Sequence, residues 1–214
     1  MLKADLHIHS AYSMDCGTPL EKIIERCLEV GINCIAIADH GTAEGALKAK
    51  SMAPFPVIVA EEILTPHGEI MGMFLNETIP SGLSVDETLA RIRQQGALVC
   101  TPHPFDSVTR AGLNSRVLSQ IADQIDVVEV FNARSPLHFT SKKSLAFARK
   151  HNIPGSAGSD AHTLGEIGNA YVEMPEFEDK LSFLKSLAQG KIYGKRSSPL
   201  VHIATTWNKL KKQF

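Results

Sequence analysis

This chain lacks an excess of charge of either sign and a recognisable cysteine pattern, and both gaps exclude something. The formal charge of its 214 residues is −1, so it has no basic surface that would grip bulk nucleic acid. Its four cysteines, Cys16, Cys27, Cys34 and Cys100, have neither C-x-x-C nor zinc-finger spacing. They fall inside or beside predicted elements, and free thiols in a reducing cytosol are expected. No apolar run approaches membrane-spanning length and no apolar signal region precedes the first strand. A cytoplasmic protein with no membrane partner is expected. Repeats, low-complexity stretches and linkers are missing too. The expectation is one domain over residues 1–214, with a core over 1–175 and a C-terminal helix and tail over 176–214 packed on it.

What is present is alternation. Strand-like runs at Leu2–His9, Asn33–Ala38, Val57–Ile63, Ala97–Thr101, Asp126–Phe131, Ile153–Ala157 and Asn169–Glu173 are interleaved with helix-like runs. Those helices are predicted over Thr18–Val30, Ala43–Lys50, Ser84–Gln95, Ser115–Ala122, His138–His151 and Glu178–Ala188. Ser84 and Glu87 form a capping box, and Gly31 and Gly96 close two helices. Glu69–Leu75 reads as the hairpin partner of the strand before it. Such alternation implies parallel strands with helical crossovers. A doubly wound nucleotide-binding sheet needs a glycine-rich turn after its first strand. Here that turn reads His9-Ser10-Ala11-Tyr12-Ser13-Met14-Asp15, which excludes it. An α/β fold of (β/α) barrel type, with seven strands, is favoured.

The barrel reading is supported by where the chemistry-bearing residues fall. His7 and His9 close the first strand, two apart and so on one side of it, with Leu6 and Ile8 on the other. Asp15 lies in the following loop, Asp39 and His40 end the second strand, and Glu62 ends the third. His103, between Pro102 and Pro104, follows Ala97–Thr101, while Asp160 and His162 follow Ile153–Ala157. In a barrel these strand ends meet on one face. Imidazoles and carboxylates without thiolates suit zinc, manganese or iron, and this many ligands points to two or three ions. Such a centre hydrolyses phosphate esters with a metal-bound hydroxide and needs no serine or cysteine nucleophile. Asp160, His103 and Arg110 are the candidate catalytic residues. Arg110 and Arg134 lie just beyond strand ends, where each is either a solvated charge or a guanidinium that holds phosphate. Asn132 is a possible helper in substrate binding. His67 reads as a solvated turn residue.

The motifs Asp5-Leu6-His7-Ile8-His9-Ser10, Ala38-Asp39-His40-Gly41-Thr42, Glu61-Glu62-Ile63, Pro102-His103-Pro104-Phe105-Asp106 and Gly158-Ser159-Asp160-Ala161-His162 together resemble those of the PHP (polymerase and histidinol phosphatase) superfamily. The resemblance runs from about residue 3 to about residue 172. It implies a distorted (β/α)7 barrel, a di- or trinuclear Mn, Zn or Fe centre, and phosphoesterase activity. It also implies that His7, His9, Glu62 and Asp160 hold one metal, that Glu62 bridges to a second held by His103, and that Asp15, His40 and His162 hold the third. Several family members supply a histidine to the second metal from the strand after the Glu62 position. This chain has Glu69 there, as a carboxylate ligand or as the mark of an altered site. Asp39 is expected to orient ligands from behind, as is Asp5.

The loops over this face are short, so the substrate is constrained only to a phosphorylated small molecule or short nucleotide. An amidohydrolase-type hydrolase also opens with His-x-His, but it would carry a bridging lysine at a middle strand end. A non-catalytic metal-binding or regulatory protein on the same scaffold is the other alternative. The basic tail (Lys191, Lys195, Arg196, Lys209, Lys211 and Lys212) reads as a solvated strand and helix before it reads as an anion-holding arm. If Arg110 holds phosphate, Arg110→Ala raises KM for phosphorylated substrates in steady-state assays; unchanged kinetics return it to a solvated charge.

Overall fold

The computed structural model describes residues 1–106, 112–198 and 201. Arg110, His202 and the three lysines beyond it lie outside that set, so no position is assigned to them.

The strands are β1 (Leu2–Ile8), β2 (Cys34–His40), β3 (Val57–Thr65), β4 (Gly68–Met73), β5 (Leu98–Thr101), β6 (Val127–Asn132), β7 (Gly155–Gly158), β8 (Ala170–Met174) and β9 (Lys191–Gly194). The helices are α1 (Leu20–Val30), α2 (Glu44–Met52), α3 (Val85–Gln94), α4 (Ser115–Gln120), α5 (His138–His151) and α6 (Lys180–Ala188). Their ends obey the local chemistry read from the sequence. Ser84 and Glu87 form the capping box of α3, and Gly31 closes α1 in the left-handed conformation, at φ 75°.

One sheet runs in the order β7-β6-β5-β4-β3-β2-β1-β8-β9. β1, β2 and β3 are parallel, as are β5, β6 and β7, while β4 pairs antiparallel with both β3 and β5. The expected β3–β4 hairpin is therefore present, and it leaves the two parallel groups running the same way. The sheet then curls until β7 approaches β1. Ile8 bridges Ala161 just beyond β7, the Asp160 amide donates to His7 O at 2.7 Å, and the His9 amide donates to Ala161 O at 2.9 Å. The other half of that β1 edge, Leu2 to Ala4, pairs antiparallel with β8. Alternation alone implied a parallel last strand. β8 runs the other way because the link from β7 to β8 has only a short 3-10 turn and no crossover helix.

Two apolar layers follow from strand alternation. Outside, Ile35, Ile37, Val57, Val59, Val99 and Val128 pack against Ile23, Ala46, Leu89, Leu118 and Phe147 of the helices. Inside, Leu6, Ala36, Ala60, Met71, Cys100 and Val127 fill the barrel. Leu6 belongs to the inner layer and Ile8 to the outer, so they do not share one side as simple alternation predicts. The pairing register of β1 shifts between Asp5 and Ile8, which adds the odd residue that separates them.

α6 belongs to the inner layer. Phe183 is fully buried, and its ring meets Phe74 at 5.2 Å and Phe177 at 5.1 Å, beside Leu2, Met73 and Leu98. It therefore closes the barrel at the amino ends of the parallel strands. All four cysteines are free and buried. Among the described residues no helix is long and apolar enough to cross a membrane. Phe183→Ala is expected to destabilise the fold by about 3–5 kcal/mol, read as a lowered urea midpoint. An unchanged midpoint would show that α6 is not part of the core.

Candidate metal centre

Six parallel strands put their carboxyl ends on one rim, and β4, running the opposite way, adds its amino end. That is how Glu69, the second residue of β4, comes to face the ends of the other strands. The alternation that fills the barrel with Ala36 and Ala38, or with Ile58 and Ala60, also aims His40 and Glu62 inward at the rim.

Glu62 lies at the middle. Its Oε2 is 3.4 Å from His7 Nε2, 3.3 Å from His9 Nε2 and 3.4 Å from His40 Nδ1, and its Oε1 is 3.0 Å from His103 Nε2. The Nε2 atoms of His7 and His9 are 3.1 Å apart, and Asp160 Oδ1 is 3.2 Å from the latter. On one flank, Asp15 Oδ2 is 3.4 Å from His40 Nε2 and 3.2 Å from His162 Nε2. On the other, Glu69 Oε1 is 3.3 Å from His40 Nδ1 and Glu69 Oε2 is 3.7 Å from His103 Nε2. The nine side chains named as metal ligands thus converge. They form four overlapping groups, each with donor atoms within 4.8 Å of one another: His9, Asp15, His40 and His162; His7, Glu62 and His103; His7, His9 and Asp160; and His40, Glu62 and Glu69. Two of the contributors have left-handed backbones, His103 at φ 26° and Asp160 at φ 54°. For non-glycine residues that conformation is costly and persists only where the surroundings enforce it.

The residues fit divalent transition metals. Burial disfavours charge on every one of these groups, yet the imidazoles and carboxylates charge each other. Burial lowers the basicity of His9 and His103, but hydrogen bonds to Asp160 and Glu62 respectively outweigh it and raise both to about 10. Burial likewise opposes charge on Asp15, Glu62 and Asp160, and neighbouring imidazoles still hold all three below the usual carboxylate range. His162 goes down to about 4, through burial and the proximity of His9. Glu69, buried beside Glu62, is pushed up to about 7, and its Oε2 is buried without a hydrogen-bond partner. The pocket therefore attracts positive charge and presents imidazole and carboxylate donors, the donor set of Zn, Mn or Fe sites.

A ring of supporting contacts, several of them unforeseen, orients these donors. Glu129, inside β6, accepts from His7 Nδ1 at 3.0 Å, from the His103 amide at 2.6 Å and from Asn132 Nδ2 at 3.0 Å. The first of these fixes the His7 tautomer and leaves Nε2 free to ligate. The only signal in the sequence was a lone carboxylate in the apolar strand Val127-Val128-Glu129-Val130. Asn132 also donates to Asp160 Oδ2 at 3.2 Å, so it steadies a candidate ligand. Arg134 is buried, with Nε 3.2 Å from Glu166 Oε1 and Nη1 bonded to His162 Nδ1. This places its guanidinium behind His162. Glu166 also escaped notice, although the Thr163–Glu166 capping box marks its place.

The acidic residues next to the ligands tie down loops. Asp39 accepts from the amide and hydroxyl of Ser10, at 2.5 and 2.6 Å. Glu61 accepts from the Ile79 amide at 2.9 Å, and Asp5 accepts from the amides of Ser159 and Gly168 at 2.8 and 2.9 Å. Ser13 donates to Asp15 at 2.7 Å. His67 is exposed in the β3–β4 turn, as expected.

The PHP domain family matches residues 5–60, and the PHP-associated family matches residues 141–192. The chain belongs to the PHP family. An uncharacterized protein of Methanocaldococcus jannaschii, MJ0417, is 38% identical over 178 residues, which cover 82% of this chain and 71% of that protein. The PHP fold is equally clear in solved structures. A two-domain Bacteroides vulgatus protein, containing a predicted PHP-like metal-dependent phosphoesterase, superposes with a TM-score of 0.74 at 15% identity. The match covers 91% of this chain but only 65% of that one. An amidohydrolase from Chromobacterium violaceum, with bound sulfate and no metal, gives a TM-score of 0.67 at 15% identity, covering 89% of this chain and 97% of its own. This PHP protein thus has the barrel of PHP-like metal-dependent phosphoesterases and a His, Asp and Glu cluster able to hold metal. If Glu129 orients His7 and His103, Glu129→Ala lowers metal affinity by about 10–100-fold in calorimetric titrations, and Glu129→Gln recovers part of it. Unchanged affinity in both variants would assign Glu129 to packing alone.

Proposed function

We propose that this PHP protein is a metal-dependent phosphoesterase that hydrolyses a phosphomonoester or a small nucleotide-type phosphodiester at a centre of two or three divalent ions. The observation that carries the reading is the convergence of His7, His9, Asp15, His40, Glu62, Glu69, His103, Asp160 and His162 in one rim pocket. When bound there, Zn, Mn or Fe ions supply Lewis acidity toward the phosphoryl oxygens and lower the pKa of a bound water.

The rest is done by the chain. His7, His9, Glu62 and Asp160 would hold one ion, Glu62 and His103 a second with Glu69, and Asp15, His40 and His162 a third. Glu129 and Asn132 keep His7, His103 and Asp160 in place through the hydrogen bonds described above. Arg134 and Glu166 do the same for His162. A fixed donor frame avoids reorganisation when charge develops on the substrate. Ser10 and Ser13 are both engaged by carboxylates, through Asp39 and Asp15, which suits hydrolysis by activated water rather than by a side-chain nucleophile. Arg110 is assigned to the substrate phosphate, from its place in the sequence four residues after the buried Asp106.

Elemental analysis of the purified protein should find two or three transition-metal ions per chain, as for multinuclear phosphoesterases generally. A screen of the manganese-loaded protein against phosphomonoesters, cyclic and bisphosphorylated nucleotides and short oligonucleotides should find turnover. His7→Ala, His103→Ala and Asp160→Ala should each abolish it while leaving the circular dichroism spectrum unchanged. Retained turnover in all three variants, or a protein that binds no metal at neutral pH, would sink the reading.

A further inference from the structure

The four donor groups on the rim differ in composition. His9, Asp15, His40 and His162 offer three imidazoles and one carboxylate, and the two groups that contain His7 each offer two imidazoles and one carboxylate. His40, Glu62 and Glu69 reverse the balance, with one imidazole and two carboxylates. Glu69 alone causes the reversal.

Its side chain has no other evident employment. It is 7% exposed, and its Oε2 accepts no hydrogen bond. The backbone explains why it cannot turn away. Glu69 is paired opposite Leu64 in the β3–β4 hairpin, flanked by Gly68 and by Ile70 of the outer apolar layer. Strand alternation therefore sends Ile70 out and Glu69 in. The tight packing of Gly68, where a Cβ would meet Gly112 O at 2.7 Å, prevents a register slip that would exchange them. Its other oxygen, Oε1, lies 3.3 Å from His40 Nδ1, on the side of the pocket where Glu62 also approaches that ring at 3.4 Å.

Oxygen donors favour hard cations, and each imidazole replaced by a carboxylate weakens the advantage of zinc over manganese. We propose that Glu69 makes the second-ion position, which it shares with Glu62 and His103 on the side of the pocket next to His40, a manganese-favouring one, so that the centre is heterometallic, with the softer ion on the imidazole-rich side. This rests on the metal-centre reading above and goes beyond it, because it assigns different ions to different parts of one pocket.

The test is metal competition, read by elemental analysis and by electron paramagnetic resonance of bound Mn(II). Manganese-loaded protein is equilibrated with increasing zinc at constant manganese, then desalted. The wild type should keep its last manganese ion per chain at zinc concentrations that have already replaced manganese elsewhere in the centre. Titrating in more zinc should displace that manganese at lower zinc concentration in Glu69→His than in the wild type. Glu69→Gln, which keeps the shape and removes the charge, should hold manganese more weakly than the wild type. Equal manganese-to-zinc ratios at every zinc concentration in wild type and Glu69→His would overturn the proposal while leaving a metal-dependent phosphoesterase intact. A wild type that binds neither metal would overturn both readings. The wild-type titration decides the matter even if a variant fails to fold, since loss of manganese from every position at the same zinc concentration would also overturn the heterometallic assignment.

Discussion

The seam where the sheet closes on itself is the constraint on which the rest of this structure depends. β1 is shared lengthwise: its first half pairs with β8, and its last residues meet the segment just beyond β7. The hydrogen bond from the Asp160 amide to His7 O, at 2.7 Å, belongs to that closure. So does Gly158, where a Cβ would stand 2.2 Å from His7 Cβ. Only a residue without a side chain lets the two strands approach this closely. The same contacts bring His7 and His9 against Asp160 and His162, although more than 150 residues separate them in sequence. Barrel closure and assembly of the metal pocket are therefore one event, and the left-handed backbone at Asp160 is a cost of that closure.

A second regularity runs around the rim. At Asp39-His40 and Glu61-Glu62, adjacent residues divide the work, the second facing into the pocket and the first holding a loop backbone by hydrogen bonds. A strand's period of two makes this division automatic, since neighbours must point to opposite faces. Asp5 does the same two residues before His7, where the register shift in β1 takes the place of alternation. Carboxylates buried on the loop side are satisfied by amides, and those on the pocket side by imidazoles. Charge of one sign can thus be concentrated on a small rim without leaving most of it unpaired.

The sequence made much of this legible, for reasons that differ by element. Helix ends carried their own signals, as at Ser84 and Gly31, and the hairpin before Glu69 was marked by Pro66 and Gly68 in its turn. Seven of the nine candidate ligands could be found because they sit at or just beyond the end of a strand-like run, where a polar residue interrupts an apolar pattern; Asp15 lies in the loop after the first strand, and Glu69, at the start of β4, was legible only through the family resemblance. Glu129 was not legible for the converse reason: it lies within such a run, between valines, with no local spacing to mark it. The partnership of Arg134 with Glu166 and His162 depends on tertiary proximity that no local spacing encodes. The shift in β1 also arises from closure, which is why Leu6 and Ile8 end in different layers despite regular alternation. The reversed direction of β8 follows from the missing crossover helix after β7, a gap visible in the sequence between Ala157 and Asn169.

α6 has a bearing on traffic. With Phe183 seated among Phe74, Phe177 and the inner-layer side chains, the described residues plug the barrel at one end, and the candidate metal ligands stand at the other. Under the proposed function, reactant and product would share that rim, so exit and entry would compete for one passage.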